Sequence, residues 1–407
     1  MRILVYGINY APELIGIGKY TTEMCEWLAD HGDEVEVITG MPSYPSWRVF
    51  DEYRGRWWFK ELKNRVKIWR CPLYVPKKVT GATRILHEIS FSISTSFVWL
   101  VKLFKHYDVV ICIAPPLQLG LAGIMYKLFR RTVVVYHIQD LQLDAAKQLG
   151  LIKSRLILTL VEKIERIIFK KSDIVSTISD GMIRKILAKN VPAGKILEFK
   201  NWIDTEHMAP MVASQEIKEL FDIDAAKKII LYSGNIGEKQ GIEIILDVAG
   251  SFQDDAIFLI IGDGAFKSRL LEIAVQKGLS NVKFFPLQPI EKLRVILNTA
   301  DIHLVLQKKA AADLVMPSKL TAILSVGGVA IVSAESGTTL HDIISRYNMG
   351  IVIEPENAFA LQETIFKNLK LDLSEIRINA RKYAENHLDK KSIMSQFQDQ
   401  LRNQILT

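Results

Sequence analysis

Cysteine is scarce in this 407-residue chain: Cys25, Cys71 and Cys112 are far apart, odd in number and without a CxxC pair. That leaves no basis for a disulfide scaffold or a structural zinc site, and it fits a reducing cytoplasm. Long apolar runs are equally scarce. The longest charge-free run, residues 109–126, is broken by Pro115-Pro116, Gln118 and Gly120, so it reads as strand, loop and helix start, not as a membrane span. The apolar stretch of the opening MRILVYGINYAPE is too short for a signal-peptide core. No HExxH, H-x₃-H or Cys/His cluster suggests a metal, and no GxSxG suggests an activated serine. Neither a metal nor a cofactor is expected.

What is present is an ordinary globular balance, 49% hydrophobic and 24% charged, in a chain long enough for about two or three domains. The net charge is +7, unevenly spread. Residues 1–204 carry +10 and residues 205–407 carry −3. A basic first half predicts an anionic partner: a phosphorylated ligand, a nucleic acid or a membrane face.

Short β-branched runs alternate with helical stretches along the whole chain. They fall at residues 3–6, 35–39, 109–113, 133–136, 174–177, 229–232, 257–261, 302–306 and 330–333. Apolar strands joined by helices predict parallel sheets with right-handed crossovers. The series restarts after a polar interval at 204–227, so the expected fold is α/β, with two doubly wound Rossmann-like domains facing a central cleft. The boundaries expected are 1–203, 204–385 and a C-terminal helix at 386–407 that straps back onto the first domain. Residues 48–70 mix basic and aromatic side chains and suit an exposed, acceptor-side segment. The helical stretches 81–106 and 152–171 read first as apolar stripes packed on the core with a charged face outward. The alternative is a contact with a membrane surface, where each basic residue near an anionic leaflet contributes roughly 1 kcal/mol.

Several turns at predicted strand ends suit a phosphorylated ligand. Gly16-Ile17-Gly18-Lys19 follows the first strand, where a glycine pair lets backbone amides and a helix dipole face a phosphate. It is not a GxGxxG fingerprint, because Thr21 replaces the third glycine, nor a Walker A loop, because Glu13 and Tyr20 occupy required positions. In the second half, Gly234 and Asn235 end one strand, with Lys239 just beyond. Gly262 and Gly264 end a second, and Leu287 and Gln288 follow a third. Such glycines also make plain tight turns, but their succession on one predicted edge favours a nucleotide site. Met316-Pro317-Ser318-Lys319-Leu320 is the sharpest feature: a proline in a helix's first turn would set Ser318 and Lys319 beside free amides as an anion clamp. His137 and Asp140 sit at another expected strand end. Asp222 and Asp224 form a DxD, read as surface or capping carboxylates more readily than as a metal site.

Taken together, YAPELIGIGKY, CPLYVPK, HIQD, YSGNIGEKQG, GDG and ADLVMPSKL followed by SVGG resemble a retaining glycosyltransferase of the two-Rossmann GT-B type, in the large family called family four. Within it the motifs resemble the colanic acid (slime polysaccharide) biosynthesis subgroup, regarded as fucosyltransferases. The resemblance implies transfer of a sugar, L-fucose from GDP-fucose, from a nucleoside diphosphate sugar to a polyprenyl-diphosphate-linked saccharide. That would take place at the cytoplasmic face of an anionic membrane, without metal and without nucleic acid. It places Gly16, Gly18, Gly234, Asn235, Lys239, Gly262, Gly264 and Ser318 around the donor, with Leu287 and Gln288 framing the base. Lys319 would meet the phosphates and His137 the transferred sugar, with Asp140 orienting the acceptor or holding His137.

The pattern also departs from the family. Two glutamates separated by seven intervening residues are replaced by Leu314 and Ala322, with Asp313 one position off as a substitute for the first. The usual Arg and Lys after the second domain's first strand are Asn235 and Gln240. A UDP-linked donor, a nucleotide-sugar epimerase of the same fold and a noncatalytic regulator are the alternatives; a nicotinamide oxidoreductase fits least.

Overall fold

A computed structural model describes residues 1–13, 16–148, 154–212, 215–309 and 317–406. It divides into unit 1, Met1–Asn201 with Met394–Thr407, and unit 2, Trp202–Ile393.

In unit 1 the chain runs β1 (Arg2–Tyr6), α1 (Ile17–Asp30), β2 (Glu34–Gly40), β3 (Phe59–Lys63), β4 (Val66–Cys71), α2 (Gly81–Lys102), β5 (Val109–Ala114) and α3 (Leu119–Phe129). It continues through β6 (Val133–Ile138), α4 (Gln142–Gln148), α5 (Arg155–Lys171), β7 (Ile174–Thr177), α6 (Asp180–Leu187) and β8 (Ile196–Glu198). The sheet order is β3-β4-β2-β1-β5-β6-β7-β8. All neighbours are parallel except β3 on β4. Every side chain of β5 is buried, as a central strand covered on both faces requires. Successive connections reverse direction between β1 and β5, so the ends of these two strands open a crevice where such sheets bind ligands.

In unit 2 the chain runs α7 (Gln215–Leu220), β9 (Lys228–Ser233), α8 (Glu243–Val248), β10 (Ala256–Ile261), α9 (Lys267–Gln276), β11 (Val282–Phe285), α10 (Ile290–Thr299) and β12 (Ile302–Val305). Then come α11 (Ser318–Ser325), β13 (Ala330–Ser333), α12 (Thr339–Tyr347), β14 (Ile351–Ile353), α13 (Ala358–Asn368) and α14 (Ser374–His387). The all-parallel order β11-β10-β9-β12-β13-β14 puts the reversal between β9 and β12. Apolar clusters pack on both faces of this sheet, around Ile229, Leu231 and Leu259 on one side and around Ile230 and Phe258 on the other. A fully buried side chain of this size contributes roughly 1.5–3 kcal/mol. The last helix, α15 (Lys390–Leu406), begins in unit 2 and ends in unit 1. Within unit 1 its Phe397 stacks on Phe199 with centroids 3.8 Å apart, and Gln398 donates to Asp33 at 2.6 Å.

Three sequence expectations change. Residues 59–71 are more than an exposed basic-aromatic segment: β3 and β4 extend the sheet, and β4 is held by buried Ile68, where it pairs with β2, and buried Val66, where it pairs with β3. The charge alternation of this stretch hid an edge hairpin. On α2, Phe91 and Val98 are core residues, but Ile89, Phe97, Leu100 and Val101 are exposed, Phe97 to 62%. On α5, Leu156, Leu160 and Ile167 are likewise exposed, Leu156 to 84%. Their apolar stripes therefore do not all pack inward. The DxD reads as expected. Asp224 accepts from the Ala226 amide at 2.9 Å, and Asp222 pairs with Lys283 at 3.1 Å, as turn-forming and surface carboxylates do.

Candidate functional site

The ends of β9, β10 and β11 meet in unit 2 through backbone packed too closely for side chains. A Cβ on Gly262 would lie 1.9 Å from the Gly234 carbonyl oxygen, and one on Gly264 would lie 2.3 Å from the Ile236 carbonyl oxygen. Both glycines are therefore demanded by the 234–236 turn itself. Close backbone packing is by itself a sufficient reason for glycine at both positions, whatever ligand the turn meets. Gly234 has φ +142°, and what lies against its α-carbon is Lys319: a Cβ there would sit 3.1 Å from Cε and Nζ. The Tyr232 hydroxyl donates to the Asn235 carbonyl at 2.6 Å and fixes the turn's far side. Lys267, which the sequence reading missed, donates to the Gly262 carbonyl at 2.9 Å and ties the ends of β10 and β11 together.

Lys319 stands in the first turn of α11, with Pro317 at the position preceding the helix and Ser318 exposed as the helix's first residue. Its ammonium is buried and has no hydrogen-bond partner among the described residues. Close beside it is the face of Tyr232, 3.8 Å from Nζ to the ring centroid. Burial pushes its pKa down to about 7, because a desolvated ammonium is penalised and a ring quadrupole offsets only part of the penalty. The group stands ready for an anion. Asn235 and Lys239 are exposed on the same turn, Leu287 is half exposed, and Gln288 donates to the Pro286 carbonyl at 2.9 Å. Asp313 lies outside the described residues, as does Leu314.

In unit 1 the crevice at β1 and β5 holds a cavity of about 230 Å³ lined by Gly16, Gly18, Asn9, Tyr44, Trp47, Arg84, Glu88, Pro115 and Asp140, among others. Gly16 caps α1 at φ +60° and ψ −139° with open space where a side chain would go, a conformation near the glycine-only region. Gly18 is small for another reason: its Cβ would lie 2.9 Å from the Glu13 carbonyl. Glu13, which sequence reading noted only as a misfit to a phosphate loop, is buried. It accepts from the amides of Ser43 and Tyr44 at 2.7 and 2.8 Å and from Asn9 at 2.8 Å. Sequence reading also missed Glu88, a buried carboxylate on α2. It accepts from Arg84 at 3.3 Å and Gln142 at 2.9 Å, and its pKa is raised by burial. Only the tertiary fold brings α2 over the crevice.

The structure separates His137 from Asp140. His137 was expected just beyond a strand end, but β6 runs on to Ile138, and the imidazole is 2% exposed. Its Nδ1 is 2.9 Å from Ser176 Oγ, its Nε2 accepts from Gln139 at 2.8 Å, and the ring packs on Phe199. Burial pushes its pKa down to about 3, so it is neutral. In this geometry both ring nitrogens are engaged by neighbouring side chains, while Asp140 lines the cavity.

Two largely parallel α/β sheets with ligand-type crevices at their reversals are the architecture of the two-domain glycosyltransferase class, and the comparisons with known proteins supply the activity. Residues 16–202 match the "glycosyl transferase 4-like domain" model and residues 213–387 the "glycosyl transferases group 1" model. The chain is 42% identical, over 99% of its length and 100% of the relative's, to the putative colanic acid biosynthesis glycosyl transferase WcaI of Escherichia coli. A probable glycosyltransferase, WbjE of Pseudomonas aeruginosa, is 27% identical over 37% of this chain and 38% of its own. Sucrose-phosphate synthase from Thermosynechococcus elongatus superposes with a TM-score of 0.76 at 16% identity, covering 100% of this chain and 99% of its own. HepE of Anabaena, solved with UDP, gives 0.73 at 13% identity, over 99% and 100%. The chain belongs to the group 1 and 4-like family of glycosyltransferases, with the GT-B fold. No helix among the described residues is long and apolar enough to cross a membrane.

Proposed function

We propose that this glycosyltransferase moves L-fucose from GDP-fucose, with retention of configuration and without a metal, to a polyprenyl-diphosphate-linked saccharide in the assembly of a colanic acid-like polysaccharide. The observation that carries the donor half is the buried ammonium of Lys319 against the Gly234 turn, without a hydrogen-bond partner among the described residues. A diphosphate arriving there supplies the counter-charge the lysine lacks. As the bond from the sugar's anomeric carbon to the diphosphate loosens, negative charge grows on the leaving oxygen, and a preorganised cation in a water-poor site stabilises it. The acceptor hydroxyl enters on the face the diphosphate leaves and passes its proton to that phosphate, so no protein nucleophile is required. Ser318, Asn235, Lys239, Leu287 and Gln288 would complete the donor site. In unit 1, Asp140 and Glu88 line the pocket offered to the acceptor, and Gly16 and Gly18, the glycines expected at the donor diphosphate, line the same pocket. The 42% identity to a putative colanic acid biosynthesis glycosyl transferase supports the pathway, and the choice of fucose rests on the motif resemblance alone.

The same reading puts the enzyme in the cytoplasm, against an anionic membrane surface. It is supported by the exposed apolar residues of α2 and α5, with α3 packed between them. Arg130, Arg131, Lys163 and Arg166, on or beside these elements, supply charge of the fitting sign. Thermal shifts with GDP-fucose, UDP-glucose, GDP and UDP test the donor, since a ligand of the native state raises the melting temperature by mass action. A larger shift with UDP compounds than with GDP compounds would reject GDP-fucose. Sedimentation with anionic liposomes at low salt tests the membrane contact, and protein left in the supernatant would reject it.

A further inference from the structure

A second concavity in unit 1 lies outside the pocket just described and shares only Trp47 with it. It encloses about 560 Å³. Its rim carries Arg48, Arg54, Arg56 and Lys77, and no acidic residue is among the described residues that line it. The floor is apolar, with Met41, Leu73 and Val75, and Tyr53 forms one wall. Two sequence features that the donor site leaves unexplained meet here: the basic-aromatic stretch 48–70 and the motif CPLYVPK at 71–77.

The rim charges are available. Arg48 and Arg54 share one carboxylate oxygen of Asp51, at 3.2 and 2.9 Å, and all three side chains are exposed. Arg56 and Lys77 make no ion pair among the described residues; Arg56 lies over the Phe59 ring at 5.1 Å. Arg70, by contrast, is fully buried and committed to Glu61 at 2.7 Å and to the Ala11 carbonyl. The fold thus neutralises the one arginine of β4 and leaves a net positive rim above an apolar floor.

We infer that this groove binds the prenyl-diphosphate root of the acceptor, the diphosphate on the arginine rim and the first isoprene units on the apolar floor. The inference rests on the lipid-linked acceptor proposed above and gives it a seat. Guanidinium groups recognise phosphate oxygens by paired, charge-assisted hydrogen bonds, and a floor of Met, Leu and Val suits a branched hydrocarbon. Because Trp47 belongs to both concavities, a saccharide attached to a diphosphate held in the groove leads past the indole toward Asp140 and Glu88. A purely inorganic anion would use the rim and leave the floor unused.

The test is binding of farnesyl diphosphate, a soluble short-chain probe, to the full-length protein by titration calorimetry, with inorganic diphosphate and farnesol as comparators. Farnesyl diphosphate is expected to bind more tightly than either. The paired substitution R54A/R56A should weaken it on the order of tenfold while leaving GDP-fucose affinity unchanged, and Leu73→Ser should weaken farnesyl but not inorganic diphosphate. Absence of farnesyl diphosphate binding, or affinity within about twofold of wild type in R54A/R56A, would overturn the inference. So would loss of binding in Lys319→Ala alone, which would put the probe in the donor site. Equal affinity for inorganic diphosphate would reduce the groove to a simple anion site and reject the prenyl assignment. Binding needs no donor, so a protein that bound the probe at this groove but transferred no sugar would refute the proposed reaction and leave the groove standing.

Discussion

The Nζ of Lys319 sits 3.8 Å above the centroid of the Tyr232 ring, buried and without a hydrogen-bond acceptor among the described residues. A charge kept out of water in this way costs stability. Folding alone would favour an apolar side chain at this position. Lys319→Met should therefore leave the free protein at least as stable as wild type, the direction seen when buried ion pairs give way to apolar residues of similar volume. It should also lower transfer by about 10²–10³-fold, as the loss of a preorganised charge-stabilising group does. Denaturant melts and initial rates on the same preparation check both halves. Unchanged turnover would remove Lys319 from the reaction.

The same burial sets a pH dependence with opposite signs for folding and for binding. The lysine's pKa is about 7 in the folded protein and about 10.4 in an unfolded chain. Between these values the unfolded chain holds the extra proton, so this group's contribution to stability grows as pH rises from about 7 to about 10. Donor binding wants the ammonium. Affinity for an intact nucleoside diphosphate sugar, whose own phosphates do not titrate in this range, should fall as pH rises above about 7, approaching a factor of about ten per pH unit. Calorimetry at about pH 6.5, 7.5 and 8.5 with wild type and Lys319→Met measures it; the variant's affinity should be weak and flat.

Much of this architecture was legible because it rests on local pattern. All nine apolar runs picked from the sequence are strands, since a strand buried on both faces needs a continuous run of the kind seen in Val109–Ala114. The hairpin of β3 and β4 escaped notice because Lys60, Lys63, Lys67 and Arg70 break that run, and Arg70 is buried only by virtue of Glu61 and a backbone carbonyl contributed from elsewhere. Glu88 was hard to read for a similar reason: within its helix it shows only an ordinary i,i+4 pair with Arg84, and its other partner, Gln142, is 54 positions away. His137 was misplaced because β6 runs past it to Ile138, enough to turn an expected rim residue into a core one.

The glycines at the donor-side turn give a graded test. Gly262→Ala and Gly264→Ala each drive a methyl group into backbone of the 234–236 turn, and backbone cannot swing away as a side chain can. Both should lose stability by several kcal/mol and displace the surface on which Lys319 rests. Gly250→Ala, whose new methyl would meet only Leu279 at an ordinary 3.6 Å, should change stability by no more than about 0.5 kcal/mol. Thermal melts of the three variants decide it; equal effects would contradict the close approach.

Glu13 joins three segments of the unit 1 crevice through one carboxylate, and burial raises its pKa while the amides of Tyr44 and Ser43 hold the increase back. Glu13→Ala strips one buried and one part-buried N–H group of their acceptor and should cost roughly 1–3 kcal/mol. Because the 43–44 segment also lines the cavity, the loss should extend to acceptor use. Hydrogen exchange at the Ser43 and Tyr44 amides would report it directly, with protection lost in the variant ahead of global unfolding.

His137 and Asp140 are close in sequence and answer to different readouts. The imidazole is buried between Ser176 and Gln139, so His137→Ala opens a polar cavity and should destabilise unit 1 by about 1–3 kcal/mol. Its effect on transfer should track the folded fraction, with donor affinity intact. Asp140 lines the cavity, so Asp140→Asn should leave the melting temperature near wild type and raise the acceptor KM or lower kcat by about tenfold or more, the loss of one charge-assisted hydrogen bond. Melts and two-substrate kinetics on both variants distinguish the roles. A His137→Ala protein that folded fully yet failed to transfer would return the imidazole to the reaction, and an Asp140→Asn protein with unaltered kinetics would leave Glu88 as the carboxylate that meets the acceptor.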